Sequence, residues 1–205
     1  MSDQYMRGTL RRKDLDADPI DQFQKWFEYA RANHRGNPTA VALATATSDG
    51  APSARMVLLK EFGPEGFVFS TNYESRKGLE LAKNSRAALL YFWEDLEQQI
   101  RIEGSVERAS AKVSDDIFND RPVGSRIASI TSAQSRPIAS REEMEAAFHA
   151  NEARLGDEPV RPEHWGGFVL KPDVMEFWQG GRSRLHDRFR YRLDDGVWVV
   201  ERLQP

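Results

Sequence analysis

A chain of 205 residues can bury a full hydrophobic core, and 40% hydrophobic with 30% charged residues is a globular balance that argues against wholesale disorder. The formal net charge of -3 gives no overall field favouring nucleic acid, and the absence of cysteine excludes disulfides, thiolate metal sites and a cysteine nucleophile. No run approaches the ~20 apolar residues that span a bilayer, and Met1 to Asp18 lacks the apolar centre of a secretion signal, so a cytoplasmic protein is expected.

The first element is a helix. Asp18-Pro19 reads as an N-cap followed by proline at the first helical position, and Phe23, Trp26, Phe27 and Ala30 recur at helical spacing until Gly36-Asn37-Pro38 stops it. From Thr39 to Arg108 the pattern is mostly β. Val41, Leu43 and Thr45 alternate with Ala42, Ala44 and Ala46, which leaves one all-alanine face open to close approach by another layer or a ligand. Asp49-Gly50 is a hairpin signal, followed by a strand from Arg55 to Lys60, the turn Gly63-Pro64-Glu65-Gly66 and a strand from Phe67 to Ser70. A short helix begins at Ser75, and two more strands run from Ala87 to Trp93 and from Gln98 to Val106.

Residues Ser110 to Leu155 read as largely helical. Ser140 and Glu143 form a capping-box pattern, with Met144, Ala147, Phe148 and Leu155 on one face. The chain returns to β from Gly167 to Trp178 and ends in a hairpin about Asp194-Asp195-Gly196. The expected class is α+β, mainly antiparallel β, with the sheet closed into a small barrel.

Three features bear on chemistry. A helix N-terminus favours acids by ~0.3–1 kcal/mol each, yet Ser75-Arg76-Lys77 puts two cations there. An external anion such as phosphate would explain them; so would two side chains extended into water. Arg55 and Lys60 bracket an apolar run, and residues five apart in a regular strand face opposite sides, so they share no partner without a bulge. Read as a strand, Arg184, His186, Arg188 and Arg190 line one face, a row of basic groups that repel unless something negative or electron-rich lies across them. An exposed basic strand is the alternative. Arg121-Pro122-Val123-Gly124-Ser125 and Gln134-Ser135-Arg136-Pro137 add hydroxyls and cations in loops that suit phosphate binding and ordinary turns alike.

No GxGxxG follows a strand, and there is no Walker-type loop, HExxH or GxSxG elbow. The four histidines are too scattered to suggest a metal site. These residues therefore lead to an antiparallel barrel with several anion sites and do not identify a cofactor.

The segment Arg55-Met56-Val57-Leu58-Leu59-Lys60, then Ser70-Thr71-Asn72 and Ser75-Arg76-Lys77, resembles the flavin-binding half of the pyridoxamine 5'-phosphate oxidase family. The likeness continues through Arg121-Pro122, Gln134-Ser135, Glu176-Phe177-Trp178-Gln179-Gly180-Gly181 and Arg184-Leu185-His186-Asp187-Arg188, and it includes both ends of the chain. The carboxy-terminal segment is the more specific half, because other split-barrel flavoproteins lack it.

The resemblance implies an FMN-binding split β-barrel homodimer, with FMN at the subunit interface. It implies residues 1–18 as a flexible N-terminal segment and 19–205 as a single domain, including a dimerisation and substrate segment at about 165–205. Arg55, Arg76, Lys77 and Ser135 would hold the flavin phosphate or its neighbourhood. Met56, Val57, Leu58, Leu59, Lys60, Ser70, Thr71, Gln99, Gln134, Trp178 and Arg188 would contact the rest of the cofactor. Lys60, Arg121 and Ser125 would grip a substrate phosphate, and Arg184, Leu185 and His186 would meet its pyridine ring, with Arg184 and His186 in the catalytic roles.

The implied activity is oxidation of pyridoxine or pyridoxamine 5'-phosphate to pyridoxal 5'-phosphate with O2, yielding H2O2, without metal, nucleic acid or membrane. Another split-barrel flavin oxidoreductase and a non-catalytic protein binding FMN or pyridoxal phosphate are the alternatives. Three departures from the family pattern stand out. Ile117 occupies the place of a usual tyrosine four residues before the Arg-Pro pair. Ser125-Arg126-Ile127-Ala128-Ser129-Ile130 replaces Ser-Gln-Ile-Gly-Ala-Trp. The arginines that often precede the tyrosine matching Tyr5 are absent, which argues against an N-terminal lid contact.

Overall fold

Alternation of apolar and polar side chains closes six strands into a barrel in the computed structural model, which describes residues 8–205. Tyr5 and the lid contact considered there lie outside the described residues. The strands are β1 (Ala40–Ala46), β2 (Pro52–Gly63), β3 (Gly66–Asn72), β4 (Arg86–Trp93), β5 (Gln98–Arg108), β6 (Trp165–Gln179), β7 (Asp187–Asp194) and β8 (Val197–Arg202). Their order is β3-β2-β1-β4-β5-β6-β7-β8, antiparallel throughout, and β3 also pairs with β6 to shut the barrel. The long β6 serves both structures: Trp165 to Leu170 pairs with β3, while Val174 to Gln179 carries the β7–β8 hairpin. Its bend coincides with a register shift at Glu103/Gly104, where a Cβ on Gly104 would stand 1.9 Å from the Lys171 carbonyl oxygen, so only glycine fits.

Inside, Val41, Leu43, Leu89, Tyr91, Ile100, Ile102, Leu170 and Phe177 are essentially inaccessible. Helix α1 (Pro19–Asn33) packs on this core. Its cap is the expected one, the Asp18 side chain accepting from the Ile20 N–H at 2.8 Å. The ring of Phe23 meets Phe62, Phe67 and Tyr91, and Trp26 stands edge-on to Phe177. The chain from residue 8 lies along the same sheet: Leu10 is buried, its N–H donates to Asp187, and the Tyr191 hydroxyl donates to the Asp16 carbonyl.

The remaining helices are α2 (Arg76–Lys83), α3 (Ala111–Asn119), α4 (Val123–Thr131) and α5 (Arg141–Leu155). Ile117 and Phe118 of α3 form a small second cluster with Val68 and Trp165. No residue of α5 is buried; the helix meets α4 and is otherwise mostly exposed. Two expectations need correction. The capping pattern of α5 is displaced: Ser140 accepts from the Glu143 N–H, but the Glu143 carboxylate accepts from the N–H of Ala139. The row Arg184, His186, Arg188, Arg190 is not one strand face either. Ser183 and Arg184 have φ of 54° and 64°, left-handed values that no strand continues through, so β7 starts only at Asp187.

The all-alanine face of β1 points outward, and nothing among the described residues covers it fully. Ala42 lies between Met56 and Leu90, and the outward side chains Met56, Leu58, Leu90 and Phe92 are exposed, the first by 63%. Such a strip is the kind of surface that another protein layer covers. No helix among the described residues is long and apolar enough to cross a membrane.

Candidate functional site

Helix α2 starts where the sequence places it, with the buried Ser75 hydroxyl as its cap. It sits hard against the preceding turn, because a Cβ on Gly78 would stand 2.1 Å from the Tyr73 carbonyl oxygen. That approach carries Lys77 into the protein. Only 8% exposed, its ammonium donates to Thr71 Oγ1 (3.0 Å), Ser75 Oγ (3.3 Å) and Gln134 Oε1 (2.8 Å), all neutral acceptors. Extension of both α2 cations into water is thereby excluded for Lys77. Burial first, then the nearby positive charge of Arg55, push its pKa down to about 8.

Arg76 is the exposed member of the pair, and its Nε donates to Glu80 one turn on at 2.9 Å. Arg55 reaches the same carboxylate from β2 (Nη2 to Oε2, 3.2 Å) and also donates to Thr45 and Ser53. Burial pushes the Glu80 carboxyl up, but hydrogen bonds from Ser53, Thr45, Arg76 and Arg55 outweigh it and bring the pKa down to about 2. Arg76 and Glu80 line a cleft of about 550 Å³ together with Ser135, Arg136, Lys83 and Thr47. Ser135 enters it from a left-handed backbone position, φ 72°. Arg76, Lys83 and Arg136 are matched in this lining by Asp49, Glu74 and Glu80, and the further positive charge suited to a phosphoryl group comes from Arg55, bonded to Glu80, and the buried Lys77.

A second cleft, of about 520 Å³, contains Lys60 and Arg121 with Ile117, Glu61, Asp116, Asp120 and Pro122. Lys60 falls at the register shift between Leu59 and Glu61, the kind of bulge named above. It nevertheless separates Lys60 from Arg55, which belongs to the Glu80 cluster. Arg121 is half-buried, with Nη1 donating to Ser129 Oγ at 2.6 Å and the guanidinium 4.9 Å from the Trp165 ring centroid. Ser125, in the first turn of α4, is not in this cleft's lining.

The other candidates form a third group. Gln99, Trp178 and Arg188 are successive partners across β5, β6 and β7, and Gln99 also pairs with exposed Phe92. This row therefore adjoins the outward apolar strip. Arg188 is held by Glu176, itself 3% exposed (2.8 Å), so it is not an unbalanced cation, and Arg190 pairs with Glu201. Arg184, Leu185 and His186 occupy the loop before β7, and the His186 ring lies 4.7 Å from Trp178. His186 Nδ1 accepts the Gly181 N–H at 3.2 Å, which puts the ring proton on Nε2. Burial, then Arg184 and Arg188, hold its pKa below the ordinary value, so the imidazole is neutral at pH 7.

Neither cleft lining includes Gln99, Trp178, Arg184, His186 or Arg188. Of the run from Met56 to Leu59, Met56 and Leu58 face outward while Val57 and Leu59 turn into the core. Ser70 is half-buried at the β3 position paired with Gly167. Glu80, Thr45 and Ser53 escaped the reading of the residues as site members, whereas Arg136 belongs to a loop named there as suited to phosphate and Glu176 to a segment that carries the resemblance. Only the Arg76/Glu80 spacing of four carried a usable signal for one of them.

Comparison with known proteins adds the following. Residues 28–153 match the family model described as "Pyridoxamine 5'-phosphate oxidase", and residues 165–205 match "Pyridoxine 5'-phosphate oxidase C-terminal dimerisation region". A pyridoxine/pyridoxamine 5'-phosphate oxidase of Bordetella avium (strain 197N) is 55% identical over 202 residues, 98% of this chain and 96% of that one. One from Janthinobacterium sp. (strain Marseille) is 50% identical over the same shares. Among solved structures, PhzG from Burkholderia lata 383, in complex with tetrahydrophenazine-1-carboxylic acid, superposes with a TM-score of 0.90 at 36% identity, covering 96% of this chain and 98% of that chain. An FMN-binding protein of Nostoc punctiforme PCC 73102, described as pyridoxamine 5'-phosphate oxidase-related, shares the fold with a TM-score of 0.74 at 16% identity, covering 93% of this chain and 100% of that chain.

Proposed function

The chain belongs to the pyridoxamine 5'-phosphate oxidase family, and from that membership we propose an FMN-dependent oxidase that converts pyridoxine 5'-phosphate or pyridoxamine 5'-phosphate to pyridoxal 5'-phosphate, with O2 as acceptor and H2O2 as product, the amine also consuming water and releasing ammonia. One observation carries this finer reading: two separate cation-bearing clefts, one at Arg76 and Ser135 and one at Lys60 and Arg121. A reaction between two phosphorylated partners, cofactor and substrate, needs two such sites.

The donor set at the first cleft fits the FMN phosphate, for which Arg55, Arg76, Lys77 and Ser135 would supply charge and hydrogen bonds. Residues 56–60, Ser70, Thr71, Gln99, Gln134, Trp178 and Arg188 would contact the remainder. When bound, FMN supplies the two-electron acceptor and the route to O2. This chain's own residues bind and orient. Lys60 and Arg121 would take the substrate phosphate, joined by Ser125. Arg184 and Leu185 would lie against the pyridine ring, and His186 would donate from Nε2 to a polar ring substituent. Proton loss from the substrate needs no protein base in this scheme, since water can receive it.

A second copy of the chain on the outward strip would cover Met56, Leu58, Leu90 and Phe92 and bring the Gln99–Trp178–Arg188 row of one protomer to the clefts of the other. The match of residues 165–205 to a dimerisation region supports that homodimer. Residues 19–205 would then act as one FMN-binding domain, with about 165–205 serving dimerisation and substrate contact.

A second reading is favoured by Ile117, which lines the Lys60/Arg121 cleft without offering a hydrogen bond. A cleft with fewer donors suits a carboxylate, and the likeness to PhzG makes a reduced phenazine carboxylic acid the rival substrate. Assay of both substrates on protein shown to release FMN on denaturation decides. Turnover of the phosphorylated vitamers without turnover of the phenazine acid supports the first reading, and the reverse supports the second.

A further inference from the structure

Resting on the FMN reading above, we propose that Glu80 is a positioning residue for the cofactor phosphate, acting through Arg76. Glu80 is 5% exposed and accepts from β1, β2 and its own helix at once: Thr45 Oγ1 (2.5 Å), Ser53 Oγ (2.6 Å) and Arg55 Nη2 (3.2 Å) on Oε2, and Arg76 Nε (2.9 Å) on Oε1. Three of these donors share Oε2 and one holds Oε1, so both oxygens of the carboxylate are engaged within the protein.

Its charge works against an anion nearby. Orientation is what it contributes. Fixing Arg76 through Nε leaves the two terminal NH2 groups of that guanidinium for the cleft shared with Ser135. The same carboxylate accepts from Arg55, whose terminal nitrogens also donate to the Leu43 carbonyl, Thr45 and Ser53 and so are spent within the cluster. Arg76 is therefore the cation held ready toward the cleft, and less ordering remains to be done on binding.

Charge and geometry make opposite predictions for substitutions, which separates them. Glu80→Ala removes both; Glu80→Gln removes the charge but can keep Arg76 on its amide oxygen while the Thr45 and Ser53 hydroxyls rotate to accept. Glu80→Asp keeps the charge and shortens the reach, and it serves if the alanine variant does not fold.

The test is titration of the apoprotein with FMN and with riboflavin, which lacks the phosphate, followed by flavin fluorescence. The parent's FMN binding is the control on the underlying reading: a parent that binds no FMN removes that reading itself. We expect the alanine variant to bind FMN about tenfold or more weaker, the scale of one misdirected charge-assisted hydrogen bond. The aspartate variant is expected to weaken in the same direction, and the glutamine variant to stay within about threefold of the parent. Riboflavin affinity is expected to be the same in all. Alanine and glutamine variants that both bind FMN more tightly, or an aspartate variant equal to the parent, would show that only charge matters and overturn the proposal. Loss of riboflavin affinity in step with FMN would reduce Glu80 to a general structural role and overturn it equally.

Discussion

Lys77 Nζ donates to the Gln134 amide oxygen at 2.8 Å, joining α2 to the loop after α4 across 57 residues of sequence. With Thr71 on the same two groups, the contact makes a buried cation whose hydrogen-bond partners are all neutral, the carboxylate of Glu80 acting on it only through space. Such a site is incomplete electrostatically, and an incoming phosphate completes it.

The first prediction follows from that cation. Lys77 is charged below about 8 in the free protein, and a bound phosphate favours the charged form, so binding above that pH takes up a proton. FMN affinity is therefore expected to be flat up to about pH 8 and to fall above it. It should fall on the acid side as well, as the phosphate protonates near pH ~6. Fluorescence titration across pH 5 to 10 checks both limbs. In Lys77→Met the alkaline limb should vanish, with FMN binding weaker by ~1.5–3 kcal/mol at pH 7.

The same depressed pKa has a consequence for folding. The unfolded chain keeps its lysine proton up to the ordinary value of 10.5, whereas the folded apoprotein releases it near 8. Between these values the unfolded state binds more protons, so this group makes stability rise with pH there, and below about 8 it costs stability in full. Thermal melts of the apoprotein are expected to show Lys77→Met more stable than the parent at pH 7, with the difference closing toward pH 10.5. Binding and stability should thus move in opposite directions for one substitution.

Lys60→Met and Arg121→Met are expected to raise KM for a phosphorylated vitamer by roughly ten- to a hundredfold, the scale of a lost charge-assisted hydrogen bond. KM for the dephosphorylated vitamer should barely move. Steady-state oxygen uptake with the two substrates makes the comparison, and equal effects on both would deny the second cleft its role.

The outward strip gives a prediction on assembly. Phe92 is 49% exposed in the single chain, beside Gln99 in the proposed interface row. Phe92→Asp would place a charge in a desolvated contact, so sedimentation is expected to show monomer where the parent is dimer, and FMN content should fall with it. Phe23→Ala, by contrast, empties the junction of α1 and the barrel, where that ring meets Phe62, Phe67 and Tyr91. It should cost ~3–5 kcal/mol in unfolding free energy.

The sequence carried much of the frame because local chemistry dictated it. Asp18-Pro19 starts α1, Asp49-Gly50 makes the β1–β2 turn, and Ser75 caps α2, each through bonds made within a few residues. What stayed illegible depends on distant partners. The positive φ of Ser183 and Arg184 broke the expected basic strand, although nothing in alternating Arg and His side chains signals it. Glu80 becomes a hub only because β1 and β2 bring Thr45, Ser53 and Arg55 to α2. No apolar side chain of α5 is buried, and spacing alone names a face without saying what meets it. Grouping of the third set, Gln99, Trp178 and Arg188, needed the register of three strands.

Oxygen uptake by the flavin-loaded protein, measured with pyridoxine and pyridoxamine 5'-phosphates beside their dephosphorylated forms, bears most directly on the proposal that two cationic clefts join a phosphorylated substrate to a phosphorylated cofactor. The expected result is rapid uptake with one or both phosphates, hydrogen peroxide equal to oxygen consumed, and little turnover without the phosphate. Equal slow uptake on all four compounds would contradict it.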